Sequence, residues 1–290
     1  MNNQKHKANR MGISILKATL RVFYLIPIDV LYFLSPLLKF VLQHVPSYRK
    51  KVIYENLRNS LIYEDDSALR RIQSSYYQHL SEIIIENLKL FSGSKKSSLG
   101  FDIVNPEILN KAYDDNQDVI VVSGHLGNWE LGFSKAAQHF KHTVCGIYKK
   151  QSNQDFDHYL RKLRSKRGLE LIKEERFIRT ILSEKSTPKI FILIPDQNPR
   201  KNKSIRYFNF LNQRTAFSNS LEKIAIKYDL PVLYADIIKL KRGKYQAQLN
   251  WIHKGISGEF NITKQYASLL ERNILSNPAI WLWSHRRWKH

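Results

Sequence analysis

Apolar residues recur along this chain at two spacings, and the spacing changes near residue 101. Before that point they keep helical intervals. Between Asp65 and Phe91, residues Leu69, Ile72, Tyr76, Leu80, Ile83, Ile84 and Leu88 share one side of a helix capped by Asp65 or Asp66. Tyr48 to Leu61 reads as a helix as well, and Ser92-Gly-Ser-Lys-Lys-Ser-Ser98 as a polar break. From about 101 onward short apolar runs alternate with helical patterns. The spacing predicts strands near 119–123, 143–148, 190–195, 231–238 and 244–252, and helices near 128–139, 154–167, 175–184, 216–229 and 260–275. Such alternation predicts an α/β fold whose sheet is covered by helices on both faces. Tyr245-Gln-Ala-Gln-Leu-Asn-Trp alternates and follows Arg242-Gly243, so it reads as half of an antiparallel hairpin. The sheet is therefore expected to be mixed.

Residues 13–45 are hydrophobic and hold few charges. Between Arg21 and Lys39 lie 17 residues with one charge, Asp29, and two prolines, Pro27 and Pro36. A spanning helix needs ~20 mostly apolar residues, so the stretch is borderline, and Asp29 would be costly at the bilayer centre. With no small-residue cleavage site, a removable signal peptide is not expected. The basic residues Lys5, Lys7, Arg10, Lys17 and Arg21 would stay cytoplasmic or rest on anionic headgroups. The expectation is a helix, or a Pro-broken helix pair, embedded in the inner leaflet. The plain alternative is an ordinary core helix.

One junction carries chemistry. The buried run Val119-Ile-Val-Val122 leads into Ser123-Gly-His-Leu-Gly-Asn-Trp-Glu130, with Gly124 and Gly127 making the turn permissive. Helical spacing then resumes at Leu131, Phe133 and Ala136. Open α/β sheets bind ligands at such carboxyl ends of strands. An imidazole titrates near neutral pH and can take a proton from an attacking hydroxyl. With His125 on the turn and Glu130 one turn into the helix, the carboxylate can fold back onto the imidazole and fix its tautomer. Asn128 is either a helix cap or a side chain placed between base and partner. Asp196 ends another strand and should open onto the same edge of the sheet, either as a turn residue before Pro199 or as a group that positions an acceptor or pairs with Arg164. Arg161, Arg164 and Arg167 recur every three residues on a helix that ends at Gly168.

The string Gly-His-x-Gly-Asn-Trp-Glu resembles the signature of the lysophospholipid acyltransferase superfamily, and within it the lipid A biosynthesis (lauroyl/myristoyl) acyltransferase family. Asp196-Gln197-Asn-Pro199, Phe210-Leu-Asn-Gln213 with Thr215, Glu222-Lys-Ile-Ala225 and Trp281-Leu-Trp-Ser-His-Arg-Arg-Trp288 resemble further family blocks, so the likeness covers about residues 45–289. It departs at Ser218-Asn-Ser220, where many relatives have a glycine. The resemblance implies a glycerolipid acyltransferase-like α/β fold with a mixed sheet flanked by helices. With the hydrophobic stretch read above, the chain divides into a membrane-associating segment, residues 1–45, and an acyltransferase catalytic domain, residues 46–290.

The implied activity is O-acyl transfer from acyl carrier protein to a hydroxyl of a lipid A precursor, in the inner membrane of a Gram-negative cell. His125 would be the catalytic base and Glu130 its partner. Arg164 would be the active-site arginine, stabilising the thioester oxyanion or clamping a phosphate. Arg286 and Arg287 would bind phosphate of the glycolipid, with Asp196 and Asn128 also at the substrate. The same mechanism could serve an aminolipid or another glycolipid as acceptor. A non-catalytic basic protein, bound to membrane or nucleic acid, is the reading from a different class.

Composition narrows this further. The charge is 47 − 25 = +22, which implies an anionic partner. The basic residues are spread over Lys5 to Arg21, Arg49 to Lys51, Arg161 to Arg167, Arg200 to Lys203, Lys239 to Lys244 and Arg286 to Lys289, and no nucleic-acid-binding motif is present, so no nucleic acid is expected. An anionic membrane, a phosphorylated glycolipid and an acidic acyl carrier protein each fit. No metal-ligand spacing or dinucleotide fingerprint occurs, so no cofactor is implied. Cys145 is the single cysteine and reads as a small core residue rather than a nucleophile. His285 reads as structural.

Overall fold

The structure is a computed structural model and describes residues 2–45, 48–62, 64–94, 97–150, 153–184, 186–199, 204–255 and 261–288, with side chains from residue 11 onward. The Lys5, Lys7 and Arg10 side chains, Lys95 and Lys96 of the polar break, the Arg200–Lys203 cluster and Lys289 lie outside the described residues. Five helices come first: α1 (Asn2–Leu25), α2 (Ile28–Leu31), α3 (Ser35–His44), α4 (Lys50–Ser60) and α5 (Asp66–Ser92). Then follow β1 (Gly100–Ile103), α6 (Glu107–Asp114), β2 (Val119–Val122), α7 (Trp129–His139), β3 (Thr143–Tyr148), α8 (Gln154–Ser165), β4 (Glu170–Lys173), α9 (Phe177–Ile181) and β5 (Lys189–Leu193). The chain continues with β6 (Ile205–Phe210), β7 (Gln213–Ser218), α10 (Ser220–Lys227), β8 (Val232–Lys241), β9 (Lys244–His253) and α11 (Ile262–Ser276).

The prolines break the amino-terminal segment as expected. Pro27 restricts Ile26 and stops α1, while Pro36 sits in the first turn of α3, where its missing donor costs nothing. Among the described residues no helix is long and apolar enough to cross a membrane. Phe23, Ile28, Leu31 and Tyr32 are instead buried in the same core as the sheet.

The main sheet has seven strands in the order β1-β9-β8-β2-β5-β3-β4. Strands β4, β3, β5, β2 and β8 run parallel, β9 folds back antiparallel on β8, and β1 lies parallel to β9. The sheet is thus mixed, with the hairpin where the alternating segment predicts it. Every residue of β2 is buried: Ile120 and Val122 face one core with Phe191, Tyr234 and Tyr266, while Val119 and Val121 face another with Leu109, Ala136 and Phe140. Burial on both faces is what a central parallel strand requires, and it explains the unbroken apolar run.

Three departures have local causes. Residues 216–218 are not the start of a helix; they finish β7, which pairs with β6 in a separate antiparallel ribbon, and α10 starts only at Ser220. The ribbon turns through Leu211 and Asn212, both at positive φ (52° and 59°). Strands β1 and β4 form the two edges of the sheet and are four residues long, too short to show a period. Helix α6 was likewise hidden by its eight-residue length.

Helix α5 is the support for the amino-terminal helices. Asp65 caps it by accepting from the Ala68 N–H at 2.6 Å, and Gly93, at φ 84°, ends it. Near its end Lys89 is buried and donates to the carbonyls of Phe23 (2.8 Å), Tyr24 (3.3 Å) and Ile26 (2.7 Å). The last carbonyls of α1 have no helical partner, and the ammonium satisfies them at the negative end of the helix dipole. Replacing Lys89 by Met should therefore destabilise the protein by about 1–3 kcal/mol in chemical denaturation, with faster hydrogen exchange in residues 20–26. An unchanged unfolding midpoint would show that α1 is held by its apolar contacts alone.

Candidate active site

Strand β2 delivers its last residues into a tightly specified turn. The Ser123 hydroxyl donates to the Ala235 carbonyl (2.8 Å), and the Ser123 carbonyl accepts from the Tyr266 hydroxyl (3.0 Å). A side chain at position 124 would approach Leu270 to 2.5 Å, so the first glycine is needed for close packing. Gly127 has φ 52° and donates its N–H to the Ile280 carbonyl (3.0 Å). The backbone between them thus has one path, and His125 is set at the mouth of a cleft.

The imidazole is held by Asp196. Its Nδ1 lies 2.5 Å from Asp196 Oδ1, and the His125 backbone N–H donates to Asp196 Oδ2 at 2.8 Å. Trp281 Nε1 donates to the same Oδ2 at 2.9 Å. Burial alone would raise the Asp196 carboxyl, but the His125 charge and the hydrogen bonds from His125 and Trp281 outweigh it and hold the carboxyl below its ordinary value. An ionised Asp196 accepts from Nδ1–H, which leaves Nε2 turned to the cleft side. Gln197 Nε2 lies 3.5 Å from that nitrogen, and Trp129 packs edge-on against the ring at 5.0 Å.

Glu130 does not fold back onto His125. It pairs instead with Arg164 of α8, whose Nε donates to Oε2 at 3.0 Å and whose Nη2 bonds Oε1. The Nδ1 side of the imidazole is already taken by a carboxylate, and a two-pronged guanidinium–carboxylate contact is stronger than one to a neutral ring. Asp196 accordingly pairs with the histidine and not with Arg164. Its partner lies 71 residues away in the chain, beyond the reach of any local pattern.

Asn128 is a helix cap. Its Oδ1 accepts from the Leu131 N–H (3.0 Å) and its Nδ2 donates to Glu86 Oε2 (2.9 Å); it is fully buried and does not line the cleft. Glu86 also accepts from Tyr32 (3.0 Å) and Tyr245 (2.9 Å) hydroxyls, while burial pushes its carboxyl up. Sequence reasoning passed over Glu86, although a carboxylate between Ile83 and Leu90 on the inner side of α5 was the available signal.

Arg286 and Arg287 stand apart from the cleft. Arg287 is buried, donates to the Ala216 carbonyl at 2.5 Å and lies 4.7 Å over the Phe217 ring; burial pushes its guanidinium down to about 10. Arg286 is exposed. The tryptophans of this block are structural: Trp281 and Trp283 are buried, and Trp288 donates to Thr215 at 2.7 Å. His285 Nε2 accepts from the Asn198 N–H at 3.2 Å and so steadies the segment behind Asp196. Cys145 is buried, and its thiol is pushed up to about 12 chiefly by burial, as a core residue's would be.

The cleft itself holds about 460 Å³ at the carboxyl ends of β2, β3 and β5. His125, Glu130, Arg164 and Gln197 line it together with apolar Trp129, Phe133, Leu160 and Leu171. Lys149 adds positive charge, whereas Arg161 is paired with buried Asp157 of the same lining (3.2 Å). Ser218 and Ser220 also line this space, joined hydroxyl to hydroxyl at 3.0 Å. A base, a fixed cation and an apolar wall in one cleft can activate a hydroxyl and stabilise an oxyanion beside a hydrocarbon chain.

The Glu130–Arg164 pair can be tested without an activity assay. Either side chain changed to Ala leaves the other's charge unpaired, and each single change should cost about 1–3 kcal/mol in urea unfolding. The double change should cost no more than the larger single one, a coupling of about 1–3 kcal/mol. Additive costs would mean that the two residues act independently.

Among curated proteins no match to the chain is found. A family model described as bacterial lipid A biosynthesis acyltransferase matches residues 2–290. The blocks that surround the cleft all fall within that match. The chain therefore belongs to the bacterial lipid A biosynthesis acyltransferase family and is an acyltransferase.

Proposed function

We propose that the enzyme moves a fatty acyl chain from an acyl carrier protein thioester to a hydroxyl of a lipid A precursor. The observation that carries this is the buried Asp196 carboxylate holding His125 with its second nitrogen on the cleft side. Nε2 takes the proton of the acceptor hydroxyl as its oxygen attacks the thioester carbonyl carbon. Asp196 stabilises the imidazolium that forms. Collapse of the tetrahedral intermediate breaks the carbon–sulfur bond, and the departing thiolate recovers the proton from His125. No acyl-enzyme is required, because a thiolate leaves readily.

Glu130 acts through Arg164. By fixing the guanidinium on the cleft wall, it places a positive charge where the oxyanion develops. Trp129, Phe133, Leu160 and Leu171 provide the apolar wall for the acyl chain. A formal charge of +22 suits an acidic carrier protein and a phosphorylated glycolipid.

We place the enzyme on the cytoplasmic face of the inner membrane. The support is an exposed apolar surface on the amino-terminal helices, with Leu25 78%, Phe33 84%, Leu37 63% and Phe40 56% accessible. With Lys17, Arg21 and Lys39 beside it, this surface suits shallow insertion rather than spanning.

His125→Ala should lower acyl transfer by ~10²–10⁴-fold, the range for loss of a general base. Asp196→Asn should fall by a comparable factor, because an amide does not hold the tautomer with Nε2 free. Full activity of purified Asp196→Asn protein would remove Asp196 from the mechanism.

Transfer from acyl carrier protein should also weaken as salt rises, since attraction between exposed charges is screened over ~8–10 Å at physiological salt. Transfer from a small acyl-pantetheine thioester should change far less. Equal salt dependence with both donors would show that the basic surface does not recruit the carrier.

A further inference from the structure

A second concavity, of about 790 Å³, lies between α1 and α8, away from the catalytic cleft. Lys17, Arg21, His158, Lys162 and Lys166 line it, and no Asp or Glu is among its described lining residues. None of these five takes part in an ion pair among the described residues. Lys17 Nζ lies 5.6 Å over the Tyr159 ring, a contact that orients the ammonium without neutralising it. A concave surface of one charge sign concentrates its field on whatever anion enters.

The rim of this groove identifies the anion. Tyr24 and Leu25 belong to its lining, are 53% and 78% exposed, and are followed in the chain by the exposed apolar residues Phe33, Leu37 and Phe40. A ligand lying here meets cations on one side and hydrocarbon on the other, with a tyrosine at the boundary as in membrane-interface belts. We infer that the groove between α1 and α8 holds the headgroup phosphate of an anionic phospholipid, whose acyl chains lie along the exposed apolar surface. The inference rests on the membrane-apposed reading given above and adds a defined site to it.

The position of the groove on α8 gives the site a consequence. Residues 158, 159, 162 and 166 face the groove, whereas 157, 160, 161 and 164 face the catalytic cleft. At 100° per residue these are opposite sides of one helix. A lipid bound in the groove therefore braces the helix that carries Arg164 from behind, while leaving the cleft open to both substrates.

Binding of the full-length protein to vesicles tests this. Phosphatidylcholine vesicles, plain or doped with phosphatidylglycerol, are to be compared for wild type, Lys162→Ala/Lys166→Ala, and the control Lys227→Ala/Lys264→Ala, which removes the same charge elsewhere. Each lysine at an anionic surface corresponds to about fivefold in affinity, so the groove variant should bind doped vesicles about tenfold or more less tightly. The control should change by about twofold or less, and all three should bind plain vesicles alike. Equal losses in both variants, or none in either, would overturn the site. Groove-dependent binding of inorganic phosphate that matches the affinity for doped vesicles would overturn the lipid assignment in favour of a free anion. A raised KM for acyl carrier protein in detergent, with vesicle binding intact, would overturn it in favour of the donor. Failure of the wild type to bind either vesicle sinks the membrane reading itself, which keeps the two failures apart.

Discussion

The hydrogen bonds that converge on Asp196 are the interaction on which this site depends. One buried carboxylate receives the backbone and ring N–H groups of His125 and the indole N–H of Trp281. It thereby joins the turn after β2, the segment after β5 and the carboxyl-terminal block, three pieces far apart in the chain. Burial raises the cost of the charge, and the donors offset it. That balance explains why the tryptophan-rich end of the chain is built into the site: Trp281 bonds Asp196 itself, and His285 bonds the Asn198 N–H two residues on.

A second set of polar contacts joins the amino-terminal helices to the same turn. Along α5 the positions 82, 86 and 89 face inward, and each carries a charge with partners. Glu82 accepts from Lys239 (2.6 Å) and Arg242 (2.8 Å), Glu86 ties Tyr32 and Tyr245 to the cap Asn128, and Lys89 holds the end of α1. A buried charge on a helix is tolerated only when partners are supplied. Here the partners come from the β8–β9 hairpin, from the segment that presents the exposed apolar surface and from the turn that carries His125. The exposed apolar surface and the turn of the site are therefore tied to one helix.

Much of the architecture was legible along the chain because it rests on local repetition. The five apolar strands, the long helix from 66 to 92 and the antiparallel hairpin follow from period and turn chemistry, and the structure keeps each within a few residues. The short edge strands and the ribbon of β6 and β7 escaped, since four to six residues carry too little pattern and pairing with distant partners decides their state. The place of His125 was legible too: a histidine between two glycines at the end of a buried strand is set at the mouth of the cleft.

Its partner was not legible. Glu130 stands five residues from His125, and proximity in sequence suggested contact; Asp196, 71 residues away, makes it. Arg287 was expected to bind phosphate, yet the fold buries it against Phe217. By itself the sequence determined the periodic elements, the positive charge and the place of His125, because each depends on composition or on neighbours within a few turns of chain. Only the tertiary structure decided which carboxylate meets which cation. That choice depends on which strand ends are adjacent and which donors remain free when all the others are satisfied, and neither is encoded in local spacing.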